Sequence, residues 1–275
     1  VAQSLARAGF VVLAPDFEGL RAFHLSQDDV GSVVRAVTKL AELAPSPLGI
    51  VGVSFGAGPA LLAAADPSIR DRVELVGSLG GYYHLLHVVS FITTGWFEDG
   101  GIFFHTRQQE YNRWKLLAAL TPYVTDRDER SRLQRIVDRK LANPQTAVRS
   151  EVGRLGPEGR DLFALVENRE RDRVSELLAR LSPAARAALE RLSPAVAIDG
   201  VRARLLIAHG RGDDSIPFTE SLKLARSVPN SGGVVIFDGL RHAFPSEREW
   251  LLRLSQVGEL ERLVWLLDKL LGMRR

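Results

Sequence analysis

Apolar and polar residues follow two patterns along this chain, and the two patterns separate strands from helices. Short continuous apolar runs, typical of strands buried on both faces of a parallel sheet, occur near the start and again near the end. Helical patterns lie between these runs, which predicts an α/β fold with a mostly parallel sheet and helices on both faces. The predicted strands are FVVLAP (10–15), LGIVGV (48–53), VELVGSL (73–79), ARLLIAHG (203–210) and GVVIFDG (233–239).

The predicted helices are marked by caps and by apolar spacing. Residues 1–9 are typical of the end of a helix closed by Gly9. Ser26 and Asp29 form a capping-box pattern before apolar positions at helical spacing, and Pro45 is expected to end that helix. FGAGPALLAAA (55–65) predicts a helix of small residues that can lie close to a sheet. A long final helix is predicted from about Ser246 to Leu271.

The pattern changes between residues 82 and 193. Strand signals disappear there, and amphipathic helical segments such as RLQRIVDRKLA and AARAALERL take over. We therefore predict a core domain made of residues 1–81 and 194–275, with residues 82–193 inserted as an all-helical lid.

The composition excludes several function classes. The 275 residues are 45% hydrophobic and 25% charged, with a net charge of +3, which is ordinary for a globular protein. Arginines alternate with acids, as in DRDERSRLQR, which favours a solvated, ion-paired helical face over a nucleic-acid surface. No nucleic-acid partner is expected, and the sequence does not indicate an oligomeric state.

The cysteine count and the hydropathy pattern bear on the chemistry and the location expected of the protein. The chain has no cysteine, which excludes disulfides, thiolate metal sites and a cysteine nucleophile. No run reaches the roughly 18 apolar residues of a membrane span. No signal-peptide pattern is present at the start, so we expect a cytoplasmic protein unless a targeting segment precedes Val1.

A serine between two glycines is the clearest chemical signal. In GIVGVSFGAG, Gly52-Val53-Ser54-Phe55-Gly56 follows a predicted strand and opens a helix, which matches the nucleophile-elbow pattern G-x-S-x-G. Side chains two positions before and after the serine would collide in such a turn, which explains Gly52 and Gly56. A phosphate-binding loop is excluded because no lysine follows at the required position.

A serine nucleophile needs a histidine base, and the base needs an orienting acid. With an elbow of this kind the order along the chain is serine, acid, histidine. Of the six histidines, only His242 is both late in the chain and in a loop after a strand. Taken alone, it could equally be a surface loop residue.

The acid is expected in the loop after the preceding strand. LLIAHGRGDDSIPF offers Asp213 and Asp214 there. Asp213 could instead cap the helix that begins near Pro217, and Asp214 or Ser215 could serve that purpose equally well. The ordered set of Ser54, Asp213 and His242 favours catalysis over these separate structural explanations.

Four segments carry a resemblance to a known family: ARAGFVVLAPDFEGL, GVSFGAGPALLAAADP, LSPAVAIDGVRARLLIAHGRGDDSIPFTES and GLRHAF. They resemble the α/β-hydrolase family, over Val1 to about Tyr83 and from Leu192 to the end. Within the family the chain resembles bacterial dienelactone-hydrolase-like or esterase-like members with a helical insertion. In the family phrase histidine-glycine-x-x-aspartate, then isoleucine or valine and proline, Asp213 holds the aspartate position.

The resemblance also implies an oxyanion hole. One donor would be the backbone N–H of Phe55. The other belongs to a His-Gly loop and strand that the family places before the segment beginning at Val1, with the strand lying between FVVLAP and LGIVGV. We therefore expect an N-terminally truncated sequence. A chain that starts at Val1 is expected to fold poorly, and loss of one oxyanion donor costs about 10² to 10³ in turnover.

The inserted segment is expected to cover the serine. The resemblance implies a lid, and Phe91, Trp96, Phe103 and Phe104 are predicted to form an apolar wall for an acyl or aromatic group. The competing explanation is that these aromatic residues form the core of the lid. His84 and His87 share a helical face, but no acid follows at ligand spacing, so no metal site and no cofactor are expected.

The resulting hypothesis is a serine hydrolase of the carboxylic-ester (EC 3.1.1) class that acts on a small-molecule ester through an acyl-enzyme. Two alternatives stay open. The same three residues could transfer the acyl group to another nucleophile, or the chain could be a non-catalytic binding protein that retains the hydrolase fold.

Overall fold

A parallel sheet of four strands forms the centre of the molecule. The structure is a computed structural model that describes residues 2–7, 9–44, 47–228 and 231–238. The sheet strands are β1 (Leu48–Val53), β2 (Val73–Leu79), β5 (Arg204–Gly210) and β6 (Ser231–Phe237). They pair in the order β1-β2-β5-β6, and every pairing is parallel. Four of the five predicted strands are thereby confirmed.

The fifth predicted strand, FVVLAP, is wrong. Residues 10–17 have no regular structure, and Val11 and Leu13 are exposed. A buried apolar run becomes a strand only where a neighbour completes its hydrogen-bond ladder. Among the described strands β1 pairs with β2 alone. Val51 and Val53, which share one face of β1, are also exposed. The segment lies beside β1 across a groove lined by Leu13, Pro15 and Phe17.

The helices of the core follow the predicted caps. They are α1 (Ala2–Arg7), α2 (Glu18–Arg21), α3 (Gln27–Leu43), α4 (Ala57–Ala64) and α12 (Thr219–Ser227). The capping box at the start of α3 is confirmed, because the Ser26 backbone N–H donates to Asp29 at 2.9 Å while the Ser26 side chain accepts from the backbone N–H of Asp29. Pro45 and the predicted helix 246–271 lie outside the described residues.

Helices dominate the segment from 82 to 193, but it also contains strands. Its helices are α5 (Leu85–Thr94), α6 (Glu110–Leu120), α7 (Arg127–Ala142), α8 (Arg149–Val152), α9 (Pro157–Glu167), α10 (Val174–Arg180) and α11 (Pro183–Arg191). An antiparallel hairpin, β3 (Trp96–Asp99) and β4 (Ile102–His105), interrupts them. The prediction of an all-helical segment is therefore wrong.

Two large buried clusters hold these layers together. One lies between the sheet and the helices α3, α4 and α12, and it includes Leu61, Val76 and Leu205. The other is formed mainly by the helices of the 82–193 segment, around Trp114 and Leu133. The second cluster reaches the elbow, because Phe55 packs against it, so the inserted helices and the sheet meet at Ser54.

The charged helices carry ion pairs, as the alternation of arginine and acid predicts. Examples are Arg180 with Glu176 within α10, and Arg169 with Glu110 between two segments of the inserted region. A separate finding concerns membranes: over the described residues, each helix is too short or too polar to span a bilayer.

Candidate active site

Ser54 occupies a strained turn between β1 and α4. Its φ of +54° places a residue with a side chain in the left-handed region, where such residues are uncommon. A short 3₁₀ turn, Ser54–Gly56, follows and leads directly into α4. This is the sharp strand-to-helix connection that lifts a side chain above the end of a sheet.

The two glycines of the elbow have different roles. A Cβ on Gly52 would lie 2.5 Å from Cα of Ala57 and 2.8 Å from the carbonyl oxygen of Gly56, so no side chain fits there. A Cβ on Gly56 would meet nothing within 4 Å. The predicted clash is therefore present at Gly52, whereas the same reason given for Gly56 is wrong. Gly56 has a φ of −70°, which any residue can adopt.

The Tyr82 ring packs against the elbow and the start of α4. A Cβ on Gly58 would collide with the hydroxyl end of the Tyr82 ring, so the ring lies directly against α4. The Tyr82 ring also packs against Phe55 with centroids 5.8 Å apart, and its hydroxyl donates to the carbonyl of Leu192 at 3.1 Å. Burial raises the pKa of Tyr82, with the charge of Asp29 adding to the effect, so the hydroxyl stays a neutral donor.

Asp213 is buried in the loop after β5. Its Oδ1 accepts hydrogen bonds from the backbone N–H groups of Ser215 (2.8 Å) and Ile216 (2.9 Å). Its Oδ2 lies 3.3 Å from Nε2 of His209. Helix α12 begins only at Thr219, so the carboxylate closes a turn before the helix and does not cap it.

The turn after β2 separates the elbow from this carboxylate. Parallel strands end at one edge of the sheet, and β2 lies between β1 and β5. Gly80, at φ +61°, leaves a space whose nearest occupant is Oδ2 of Asp213, at 3.7 Å from an ideal Cβ. A Cβ on Gly81 would lie 2.5 Å from Cβ of Ala57, in the first turn of α4. Because Gly80 and Gly81 have no side chains, the turn after β2 can lie close to both the Asp213 loop and the start of α4.

The predicted base, His242, lies outside the described residues. Strand β6 ends at Phe237, beside β5 and at the same edge as the loop of Asp213. That end is held to the Asp213 loop by the Arg211 backbone N–H, which donates to the Phe237 carbonyl at 2.8 Å, and by an ion pair between Arg211 and Asp238. The last described residue, Asp238, therefore lies next to the loop of Asp213, four positions before His242 in the sequence.

Ser54 borders a cavity of about 390 Å³ between the sheet and the inserted helices. Phe55 and Gly56 line it beside the serine. Aliphatic side chains of α5 and α6 and of residues near α11 form most of the wall: Leu85, Val88, Val89, Ile92, Leu116, Leu120, Leu189 and Leu192. The lining also includes four polar residues besides the serine, namely Asn112, Lys115, Tyr123 and Ser215.

The four predicted aromatic residues line a different part of the molecule. Phe91 is fully buried and packs edge-on against Phe97, and Phe104 stacks on Phe97. Trp96 and Phe103 are partly exposed on the hairpin. The prediction that these four residues form the cavity wall is therefore wrong: the wall is mostly aliphatic. Phe91 and Phe104 pack against Phe97 instead, and the hairpin places Trp96 and Phe103 partly in solvent.

Helix α6 is tied to the loop of Asp213 by contacts that the sequence did not indicate. Asn112 donates to the Asp214 carbonyl at 2.8 Å and accepts from the Ser215 hydroxyl at 3.2 Å. Gln109 donates to the Asp214 carboxylate at 2.5 Å. These partners are about 100 residues apart in the chain. The one local signal was a polar Asn112 on a helix that also carries Leu116 and Leu120.

His84 and His87 gain an acidic neighbour from a distant part of the chain. Nδ1 of His87 lies 2.9 Å from Oε1 of Glu220, and Oε2 of Glu220 accepts from the backbone N–H groups of Tyr83 and His84. Burial lowers the pKa of His84, and the neighbouring His87 adds to this. Across the residues that the structure describes, no three His, Asp or Glu side chains are grouped to hold a metal ion.

Comparison with known proteins now identifies the class. A model of the alpha/beta hydrolase family matches residues 2–254, and the chain therefore belongs to the alpha/beta hydrolase family. Membership supports hydrolase activity and a small-molecule substrate. A search of curated proteins finds no match.

Solved structures that are similar to this chain share little sequence identity with it. A meta-cleavage product hydrolase from Pseudomonas fluorescens IP01 is 17% identical, with 97% of this chain and 77% of that chain covered and a TM-score of 0.41. The 2-hydroxy-6-oxo-6-phenylhexa-2,4-dienoate hydrolase of Rhodococcus sp. strain RHA1 is 15% identical over 90% and 73% of the two chains, at a TM-score of 0.38. An alpha/beta fold family hydrolase from Bacillus anthracis str. Sterne is 16% identical over 89% and 76%, at 0.42.

Proposed function

We propose that this protein is a serine hydrolase that cleaves carboxylic esters, with Ser54 as nucleophile, His242 as base and Asp213 as the acid that orients the base. The observation that carries the proposal is the position of Ser54. It is a strained, left-handed residue at a strand-to-helix turn, and it borders a largely aliphatic cavity. Strain of this kind persists where function requires a particular orientation of the side chain.

The proposed reaction follows from these positions. The Ser54 hydroxyl attacks the ester carbonyl while His242 takes its proton, and His242 then protonates the departing alcohol. Water releases the acyl group by the reverse sequence. The Phe55 N–H lies in the first turn after the serine, where helical N–H groups lack intrahelical acceptors, so it can stabilise the oxyanion.

The burial of Asp213 fits the orienting role. Two backbone N–H groups and His209 fix the carboxylate, which keeps it in one orientation for an imidazole arriving from the β6 end. The segment 82–193 serves as the lid in this proposal, because α5 and α6 supply most of the apolar wall opposite the serine. An apolar wall favours an acyl chain over a charged or peptidic group near the scissile bond.

Active-site labelling tests the proposal directly. A fluorophosphonate probe is expected to label the protein at Ser54, and Ser54→Ala is expected to abolish labelling. His242→Ala should lower the labelling rate roughly 10³-fold or more, since the base and nucleophile act as a unit. His105→Ala is the matched control, because His105 packs against Trp96 in the hairpin and does not line the cavity. Labelling that survives Ser54→Ala contradicts the proposal.

A panel of p-nitrophenyl esters of increasing acyl length then tests the ester substrate. Turnover is expected to rise with acyl length until the cavity is filled. Binding of these esters without turnover would instead identify a non-catalytic binding protein. Products formed with added alcohols or amines would identify acyl transfer.

A further inference from the structure

Lys115 is the single lysine in the lining of the cavity beside Ser54, as far as the described residues show. It lies on α6, and its Nζ is 5.3 Å from the ring centroid of Phe23 and 4.6 Å from that of Tyr111. Phe23 also lines the cavity, whereas Tyr111 is partly exposed outside it. The ammonium group is therefore at the rim of the cavity, between the two rings.

The other polar side chains of the wall already have protein partners. Asn112 and Ser215 bind each other and the loop of Asp213, as described above. The Tyr123 hydroxyl donates to the carbonyl of Leu25 at 2.5 Å. These groups are used to hold the wall together, so they offer little to a ligand.

Lys115 differs from them because its close partners among the described residues are two aromatic rings. Over the described ranges it forms no ion pair within 4.0 Å, although Asp214 and Asp213 are near enough to act on its charge. Asp214 is already bound by Gln109. Burial lowers the pKa of Lys115, and the two aspartates oppose that effect. A half-buried ammonium group has lost part of its hydration shell, and here no described acceptor replaces the lost hydrogen bonds. An acceptor group on a ligand can replace them.

We propose that Lys115 binds an anionic group on the substrate, of the carboxylate class, so that the preferred ester carries a carboxylate on its apolar chain, away from the scissile bond. This inference deepens the proposed function at the same site. The aliphatic wall holds the chain, and Lys115 holds the charged end at the rim. A carboxylate that binds Lys115 gains a charge-assisted hydrogen bond in a partly desolvated setting.

The test compares two esters that differ mainly in charge. Mono-p-nitrophenyl glutarate carries the carboxylate, and p-nitrophenyl 5-methylhexanoate places an isopropyl group at the same position. The measured quantity is the ratio of kcat/KM for the anionic ester to that for the neutral ester. Because both esters report on the same enzyme preparation, a general loss of fold or of active enzyme cancels from the ratio.

Lys115→Met is expected to lower this ratio roughly tenfold to hundredfold, as for a lost hydrogen bond to a charged group. Lys115→Arg, which keeps the charge, should retain most of the ratio. The matched control is Lys140→Met. Lys140 lies on α7 over the ring of Trp114 from α6, and it does not line the cavity. An unchanged ratio in Lys115→Met overturns the inference.

A binding measurement separates this inference from the proposed hydrolase activity. Isothermal titration of the Ser54→Ala variant with the same two esters reads affinity alone. Preferential binding of the anionic ester that is lost in Ser54→Ala/Lys115→Met supports the inference even if no ester is hydrolysed by the unmodified enzyme. Equal affinity for the two esters overturns it, while labelling of Ser54 would still support the hydrolase.

Discussion

Nε2 of His209 lies 3.3 Å from Oδ2 of Asp213, and both side chains are buried. The same Nε2 is 3.0 Å from the Ile216 carbonyl, while Nδ1 is 2.7 Å from the Ser221 hydroxyl. Nε2 faces two acceptors and therefore carries the proton, which leaves Nδ1 to accept from Ser221. His209 thus supports the Asp213 carboxylate and has no part in the proton transfers of the proposed reaction.

His209→Phe is expected to destabilise the protein by about 1–3 kcal/mol, because it leaves buried partners without hydrogen bonds. It should also lower kcat/KM for esters roughly tenfold, because the loop of Asp213 loses its anchor. Urea unfolding and ester hydrolysis measure the two effects. Ser221→Ala is the control, since it removes only the Nδ1 contact and should leave activity near normal. Full activity in His209→Phe would contradict the supporting role.

The elbow offers a matched pair of glycine substitutions. Gly52→Ala is expected to destabilise the fold by about 1–3 kcal/mol, because its Cβ overlaps Ala57 and the Gly56 carbonyl. Gly56→Ala should change stability by less than about 0.5 kcal/mol, because its Cβ meets open space. Thermal unfolding of the two variants makes the comparison. Equal destabilisation by the two substitutions would contradict the difference in space around the two glycines.

Arg113 connects three parts of the inserted segment. Its guanidinium is buried and donates to the carbonyls of Val166 (2.9 Å), Asn168 (2.7 Å) and Thr93 (2.5 Å). Burial, and next the charge of Arg169, lower the pKa of Arg113 to about 10, so it is still charged at neutral pH. Arg113→Met is expected to destabilise the protein by about 3 kcal/mol, because three buried carbonyls lose their donor.

The control for Arg113 is Arg169→Met. Arg169 is half-exposed in its ion pair with Glu110, so its loss should cost less than about 1 kcal/mol. Chemical denaturation gives both values. A similar small cost for the two variants would mean that Arg113 does not hold the segment together.

The lowered pKa of Glu220 leads to a prediction of how the stability of the fold depends on pH. Burial alone would raise the pKa of this carboxyl, but the hydrogen bond and charge of His87, the His84 N–H and Lys223 outweigh it and lower the pKa below 4.5. A lowered folded-state pKa stabilises the fold above the unfolded value, and this stability is lost as the pH falls through the folded value. We expect a loss of stability below about pH 4.5.

In Glu220→Gln we expect lower stability at neutral pH and a smaller further loss of stability as the pH falls below about 4.5. Thermal unfolding from pH 3.5 to 7.5 measures the dependence. The exposed Glu176→Gln is the control and should leave the curve unchanged. A curve for Glu220→Gln that runs parallel to the original would exclude Glu220 as the group responsible.

Several features of the fold were predictable because their signals are local. Strands β1, β2, β5 and β6 each contain a short apolar run, and the Ser26–Asp29 capping box is a four-residue pattern. The steric need for Gly52 follows from the turn itself. The position of Asp213 after β5 follows from strand–loop order, although its assignment as the acid stays a prediction.

The features that the sequence did not predict depend on distant partners. FVVLAP has the composition of a strand but lacks a described neighbour to complete a ladder. The cavity wall comes from α5, α6 and residues near α11, which only the tertiary fold brings together. The hairpin was predictable in principle, because a Gly-Gly pair between two short runs is typical of a two-residue hairpin turn. In the structure Gly100 and Gly101 connect β3 to β4, and both have positive φ.

The contact between Gly58 and Tyr82 has an evolutionary consequence. Any side chain added at position 58 would occupy the space of the tyrosine ring, and that ring also reaches Leu192, 110 residues further along the chain. A lineage can enlarge residue 58 only after residue 82 has become smaller, and the reverse order is blocked. Among descendants of this sequence, substitutions at these two positions should therefore arise in a fixed order.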